Sequence, residues 1–157
     1  AVGFGLGAPA LAGYLAGEHV DLRERLGMLA EPVEQVRAEA AQERRRLTDR
    51  LRDYGLVGDD PTEREIIEAM HSYIAKTPAE MLAIALVDAV GERKAQNVPG
   101  TDEEYVNWRV PLTDGSENPV LVEDLATNPR LLSLLEKFKA ELEANRRPHG
   151  KAGRSSK

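Results

Sequence analysis

The residues best suited to chemistry in this 157-residue chain lie close together between Gln96 and Pro111, in the run Q-N-V-P-G-T-D-E-E-Y-V-N-W-R-V-P. Asn97 carries an amide that can donate to and accept from the same pair of ligand hydroxyls. A turn amide bonded to its own backbone is the competing role, and both stay open. Trp108, the single tryptophan, offers a flat face on which a ring could stack, although a lone Trp in a compact segment is expected in the core. Between them, Pro99-Gly100 calls for a chain reversal, because proline presets φ near −65° and glycine accepts the positive φ that the next turn position requires. Asp102, Glu103 and Glu104 bring carboxylates to the same stretch. Three consecutive acids with no identified opposing partner read as a solvated turn.

Other constellations carry less. His19, His71 and His149 are far apart, with no H-x-x-x-H spacing and no cysteine partner, so neither a metal site nor a cofactor is expected. Ser72, Ser116 and Ser133 lie outside any G-x-S-x-G elbow. Gly3, Gly5 and Gly7 lack the order of a phosphate-binding loop.

Asn97-Val98-Pro99-Gly100-Thr101, followed by Tyr105-Val106-Asn107-Trp108-Arg109, resembles the N-x-P-G-T…Y-P-N-W-R signature near the C-terminal end of the 4-alpha-glucanotransferases, also called amylomaltases. Leu86-Val87-Asp88 with Gly91, Ala12-Gly13-Tyr14-Leu15, and Leu22-Arg23-Glu24-Arg25-Leu26-Gly27 extend the likeness over most of the chain. Val106 stands where the family usually has proline, which relaxes the backbone without removing a chemical group. The resemblance implies a (β/α)8 barrel and retaining transfer between α-1,4-glucans, and it makes Asn97 the substrate-binding candidate. It also implies that the nucleophile and the acid/base belong to earlier strands that have no counterpart here. The family's third carboxylate sits in a T-H-D-x-P motif. With Pro9 and Ala12-Gly13-Tyr14 aligned, its Thr, His and Asp positions are held by Gly5, Leu6 and Gly7. No catalytic residue is therefore assigned. The chain is expected to be the tail end of a longer enzyme with an altered beginning, inactive alone. A non-catalytic helical interaction module is the alternative, since it needs only amphipathic helices.

Composition agrees with one modest core. The chain is 41% hydrophobic but only 4% aromatic, so its apolar mass comes from Leu, Ala and Val. Cysteine is absent, which permits a reducing compartment and makes cytoplasm the default expectation. The net charge of −6 becomes −11 for residues 1–145 once the five cations of the last twelve residues are set aside. So acidic a body is unsuited to nucleic acid, where affinity rests on cations meeting phosphates. Residues 1–17 are uncharged, yet five glycines interrupt them and no basic leader precedes them, so neither a signal peptide nor a membrane span is expected.

The elements that must position these groups are mostly helical. Val33, Val36, Ala40, Leu47, Leu51 and Tyr54 share one stripe and predict a helix over 32–54, stopped by Gly55. Its Glu43-Arg44-Arg45-Arg46 run is a solvated charged face. A second helix is predicted from Asp60 as cap and Pro61 as first residue, burying Ile66, Ile67, Met70 and Ile74. A third opens at Asn128-Pro129 and presents Leu131, Leu135, Phe138 and Leu142 as core. Met81 to Val87 is a continuous apolar run. Thr77-Pro78-Ala79-Glu80 just before it reads as a helix start, and the family resemblance decides for a late barrel strand. An unpaired strand of this kind should drive self-association or partial disorder. The expected fold is mainly α with one to three short strands, a C-terminal piece of the barrel over 1–145, and a disordered basic tail over 146–157.

Overall fold

The computed structural model describes residues 9–145. Six helices follow one another: α1 Leu11–Ala16, α2 Glu18–Arg25, α3 Val33–Asp53, α4 Glu63–Ala75, α5 Leu86–Val90 and α6 Pro129–Ala144, with a 3₁₀ turn at Val122–Thr127 before the last. The predicted basic tail and the Gly5-Leu6-Gly7 positions lie outside the described residues.

The core forms where α1, α3 and α4 meet. Leu11, Ala12, Leu15, Leu51, Ile66, Ile67, Ala69 and Met70 are buried together, with Tyr14, Leu47, Leu56 and Val57 packed around them. Full burial of a side chain such as Ile66 contributes about 1.5–3 kcal/mol. Helix α3 follows the predicted stripe, but among its residues only Leu51 is fully buried; the Val33, Val36 and Ala40 end is half-buried. Arg37 ties α3 to α2 through Asp21 at 2.9 Å and Glu24 at 3.0 Å, exposed pairs that contribute little each.

The start of α4 lies two residues beyond the predicted cap. Thr62, not Asp60, is the N-cap: its Oγ accepts from Glu65 N at 3.3 Å, and the Glu65 carboxylate accepts from Thr62 N at 2.8 Å. Asp60 also has a glutamate three residues on, Glu63, but the reciprocal pair is made by Thr62 and Glu65. Helix α6 opens as predicted, with Asn128 Oδ1 accepting from Arg130 N and Leu131 N at 3.0 Å each and Pro129 in the first turn. Its buried face is rotated from the prediction, however. Leu134 is 1% exposed, whereas Leu135 is 43% exposed.

The reason is what α6 packs on. Its main neighbour is α4, and the seam between them is polar. Buried Glu68 of α4 accepts from Ser133 Oγ at 2.6 Å, Arg64 Nε at 3.1 Å and Lys137 Nζ at 2.5 Å. Arg130 bonds Glu63 at 2.7 Å, and Lys76 bonds Glu141 at 2.7 Å. Meeting these partners turns Ser133, Leu134 and Lys137 toward α4.

The expected strand at Met81–Val87 is absent. Residues 81–85 follow no regular pattern, Met81 is 89% exposed, and from Leu86 the chain enters α5. Among the described residues there is no strand, only an isolated antiparallel bridge from Thr113 to Pro119. A strand satisfies its backbone groups only through a neighbouring strand, and none stands beside this run. Among the described residues no helix is long and apolar enough to cross a membrane.

Candidate functional site

The loop that carries Asn97 is closed at its base by a carboxylate. Glu92 follows Gly91 at the end of α5 and is 0% exposed. Its Oε1 accepts from the amides of Arg93 and Lys94 at 2.8 Å each, and its Oε2 accepts from Thr113 N at 2.7 Å and Thr113 Oγ at 2.8 Å. One side chain thus joins the two ends of the 93–112 excursion. Four donors compensate for burying its charge.

The base is seated on α1. Asp88 Oδ1 accepts from Leu11 N, the first amide of that helix, at 2.7 Å. Burial pushes the Asp88 carboxyl above its ordinary value, partly opposed by the Leu11 amide and the nearby His71. Gly13 presses against the Arg93 backbone so closely that a Cβ there would lie 1.9 Å from the Arg93 carbonyl oxygen. Only glycine fits that contact. Arg93 in turn pairs with Glu18 of α2 at 2.7 Å.

Inside the loop, the Pro99-Gly100 reversal is as predicted. Gly100 has φ +88°, and Thr101 N donates to Val98 O at 3.2 Å. The amide that braces this turn is Asn107. Its Oδ1 accepts from Val98 N at 2.8 Å, while its Nδ2 donates to Thr101 O at 3.1 Å and Thr101 Oγ at 2.9 Å. Nothing in residue type or spacing says which Asn of the signature reaches back, so this role of Asn107 is not legible in the sequence. Tyr105 Oη donates to Ala95 O at 2.6 Å from within the loop. Burial raises its phenol pKa; Glu92 adds to the rise, and Lys94 and Arg25 oppose it.

Asn97 lies half-buried between Gln96, whose carbonyl accepts from Trp108 N at 2.8 Å, and Val98, whose amide is held by Asn107. Trp108 does not pack in the core as expected. It is 62% exposed and adopts φ +60°. Tyr105 bonds Ala95 O through its hydroxyl from within the loop, and the backbone at Trp108 is held by its own bond to Gln96 O.

The remaining candidates are dispersed. Asp102, Glu103 and Glu104 sit on an exposed turn in which Glu104 accepts from Asp102 N at 2.8 Å. His19 stacks on Tyr14 with ring centres 4.8 Å apart, and buried His71 donates from Nδ1 to Ile67 O at 2.8 Å. His149 lies outside the described residues. Among the described residues no three His, Asp or Glu converge as a metal set. Ser72 is buried on α4, Ser133 serves Glu68, and Ser116 belongs to the Asp114 turn, where its amide donates to Asp114 Oδ1 at 2.8 Å.

This fold is similar to part of a solved amylomaltase. The crystal structure of amylomaltase from Corynebacterium glutamicum matches this fold with a TM-score of 0.79 at 35% sequence identity, over 85% of this chain and 20% of that one. The chain belongs to the 4-alpha-glucanotransferase family, whose sequence profile matches residues 8–117. Relatives described as 4-alpha-glucanotransferase from Mycobacterium tuberculosis and Mycobacterium bovis are each 46% identical over 134 residues, covering 84% of this chain and 18% of theirs. The chain therefore spans about a fifth of the length of these relatives.

Proposed function

We propose that this chain is the C-terminal part of a retaining 4-alpha-glucanotransferase with a (β/α)8 barrel, and that its Gln96–Arg109 loop contacts the α-1,4-glucan through Asn97. The bracing of that loop carries the reading. The carbonyl before Asn97 and the amide after it are both hydrogen-bonded within the loop, so the backbone at Asn97 is ordered before a ligand arrives and little entropy is lost on binding. An amide held this way can donate to one sugar hydroxyl and accept from its neighbour.

In a retaining transfer, one carboxylate attacks the anomeric carbon. A second carboxyl group, about 5 to 5.5 Å away, protonates the departing sugar oxygen and then takes the proton of the incoming acceptor hydroxyl. No residue of this chain is assigned to either role. Asp88 is committed to Leu11, Glu92 to the loop base, and Asp102 to Glu104 to one exposed turn, which supports binding rather than bond-breaking. The exposed Met81 and Leu86 are where the rest of a barrel would cover this piece. Such an enzyme belongs in the cytoplasm, with which a cysteine-free chain is compatible.

The test is glucose release and chain-length redistribution from maltotriose. The 157-residue chain alone should give none, and in the longer enzyme Asn97→Ala should weaken transfer by about 1–3 kcal/mol through the unpaired sugar hydroxyl. Turnover by the chain alone would reassign the catalytic groups, with Asp88 and Glu103 as the first to reconsider. Unchanged kinetics in Asn97→Ala would leave that residue as a turn amide only.

A further inference from the structure

We infer that Trp108 is a stacking platform for a sugar ring of the same glucan, set beside Asn97 so that one residue holds the flat face of a glucose unit and the other its hydroxyl rim. The inference rests on the reading of this loop as a glucan contact.

Two features set Trp108 apart. Its indole is 62% exposed, although burying so large an apolar surface would be strongly favourable. Its backbone is also in the left-handed region at φ +60°, which is costly for a bulky residue and persists only where the surroundings impose it. The surroundings do impose it here. Trp108 N donates to Gln96 O at 2.8 Å, Arg109 N donates to Val106 O at 3.1 Å, and the preceding Asn107 is held by three side-chain hydrogen bonds. The backbone from which the indole projects is therefore fixed by the hydrogen-bonded loop. Because the Trp108 amide bonds the carbonyl just before Asn97, the two residues sit on adjacent, mutually tethered segments of the loop.

Glucose in an α-1,4-glucan is amphipathic in the matching sense: its C–H faces are apolar and its edge carries hydroxyls. An exposed indole contributes contact area at low conformational cost, since it has only two side-chain torsions. It reads a ring face without choosing among successive glucose units, which suits a transferase that must accept a chain in several registers. The neighbouring Val106 is itself 52% exposed and extends the apolar surface beside the ring.

Because Trp108 is the only tryptophan, the emission of the 157-residue chain reports on this ring alone. In the free chain, acrylamide should quench it as it quenches an exposed indole. Titration with maltoheptaose should shift the emission to the blue and protect it from acrylamide, with the same midpoint as calorimetric binding. Trp108→Ala should weaken maltoheptaose binding about tenfold and Trp108→Phe by much less, both with an unchanged helical circular-dichroism signal. An indole already shielded in the free chain overturns the inference. So does emission that stays constant while calorimetry records binding that Asn97→Ala abolishes, an outcome in which the glucan reading of the loop stands. No calorimetric binding of maltoheptaose by the unaltered chain also overturns the inference, while the glucan reading of the loop is decided by Asn97→Ala in the longer enzyme.

Discussion

Replacing Glu92 by glutamine tests whether one buried carboxylate organises the whole candidate loop. The change keeps size and shape but exchanges one acceptor oxygen for an NH2 group, and every partner of Glu92 is a donor: the amides of Arg93, Lys94 and Thr113, and the Thr113 hydroxyl. If the new NH2 faces Arg93 and Lys94, two amides lose their acceptor. If it faces Thr113, the hydroxyl can rotate to accept but the amide cannot. At least one buried N–H is then unsatisfied and opposed by another donor, at about 1–3 kcal/mol, and the charge-assisted bonds that remain weaken from about 1.5–3 kcal/mol each toward the neutral value. The combined loss is about 3–5 kcal/mol, a large share of the roughly 5–15 kcal/mol that keeps a domain folded. Because α1, α3 and α4 keep their own apolar core, the loop should open before the molecule unfolds. Hydrogen exchange at the Val98, Thr101 and Trp108 amides, compared with amides inside α4, is the assay. Faster exchange confined to the loop is expected, with melting lowered by on the order of 10 °C. Equal exchange in the two proteins, with melting unchanged, would refute the assignment of Glu92 as the loop's closure.

Two further outcomes follow from the same structure. Burial alone would raise the Glu68 carboxyl, but Lys137, Ser133 and Arg64 outweigh it and hold it below its ordinary value of 4.5; a depressed folded value means that its stabilisation is present above the unfolded value and lost as pH falls through the folded one. Acid titration followed by circular dichroism should therefore show α6 leaving α4 below about pH 4.5, and Glu68→Gln should flatten that part of the curve; an identical acid transition in the variant would count against the seam. The exposed Met81 and Leu86 should make the chain associate as its concentration rises, and Met81→Glu with Leu86→Glu should abolish this in sedimentation velocity, whereas a monomer at all concentrations would show that the segment does not drive assembly.

Local signals were readable without coordinates. Asn128-Pro129 opens α6, the Val33 to Leu51 stripe traces α3, and Pro99-Gly100 turns the loop, because each depends on side chains within four residues of one another. The ordered N-x-P-G-T and N-W-R residues likewise resemble the family's signature by themselves. Where two local signals competed, the hydrogen bonds formed in the folded chain chose between them. Thr62 displaced Asp60 as cap through its bond with Glu65, and the polar seam with Glu68 turned Leu134 rather than Leu135 inward. The apolar run at Met81 became irregular chain because a strand is defined by its neighbour, which lies in no residue of the run itself. The site depended most on contacts distant in sequence. Glu92 meets Thr113 across 21 residues, Asp88 meets Leu11 across 77, and Gly13 meets Arg93 by sheer proximity of backbone. A buried carboxylate, a bracing Asn107 and an outward Trp108 look in sequence like any other acid, amide or core aromatic; what separates them is which donors the folded chain brings within 3 Å and which side of the loop is already filled.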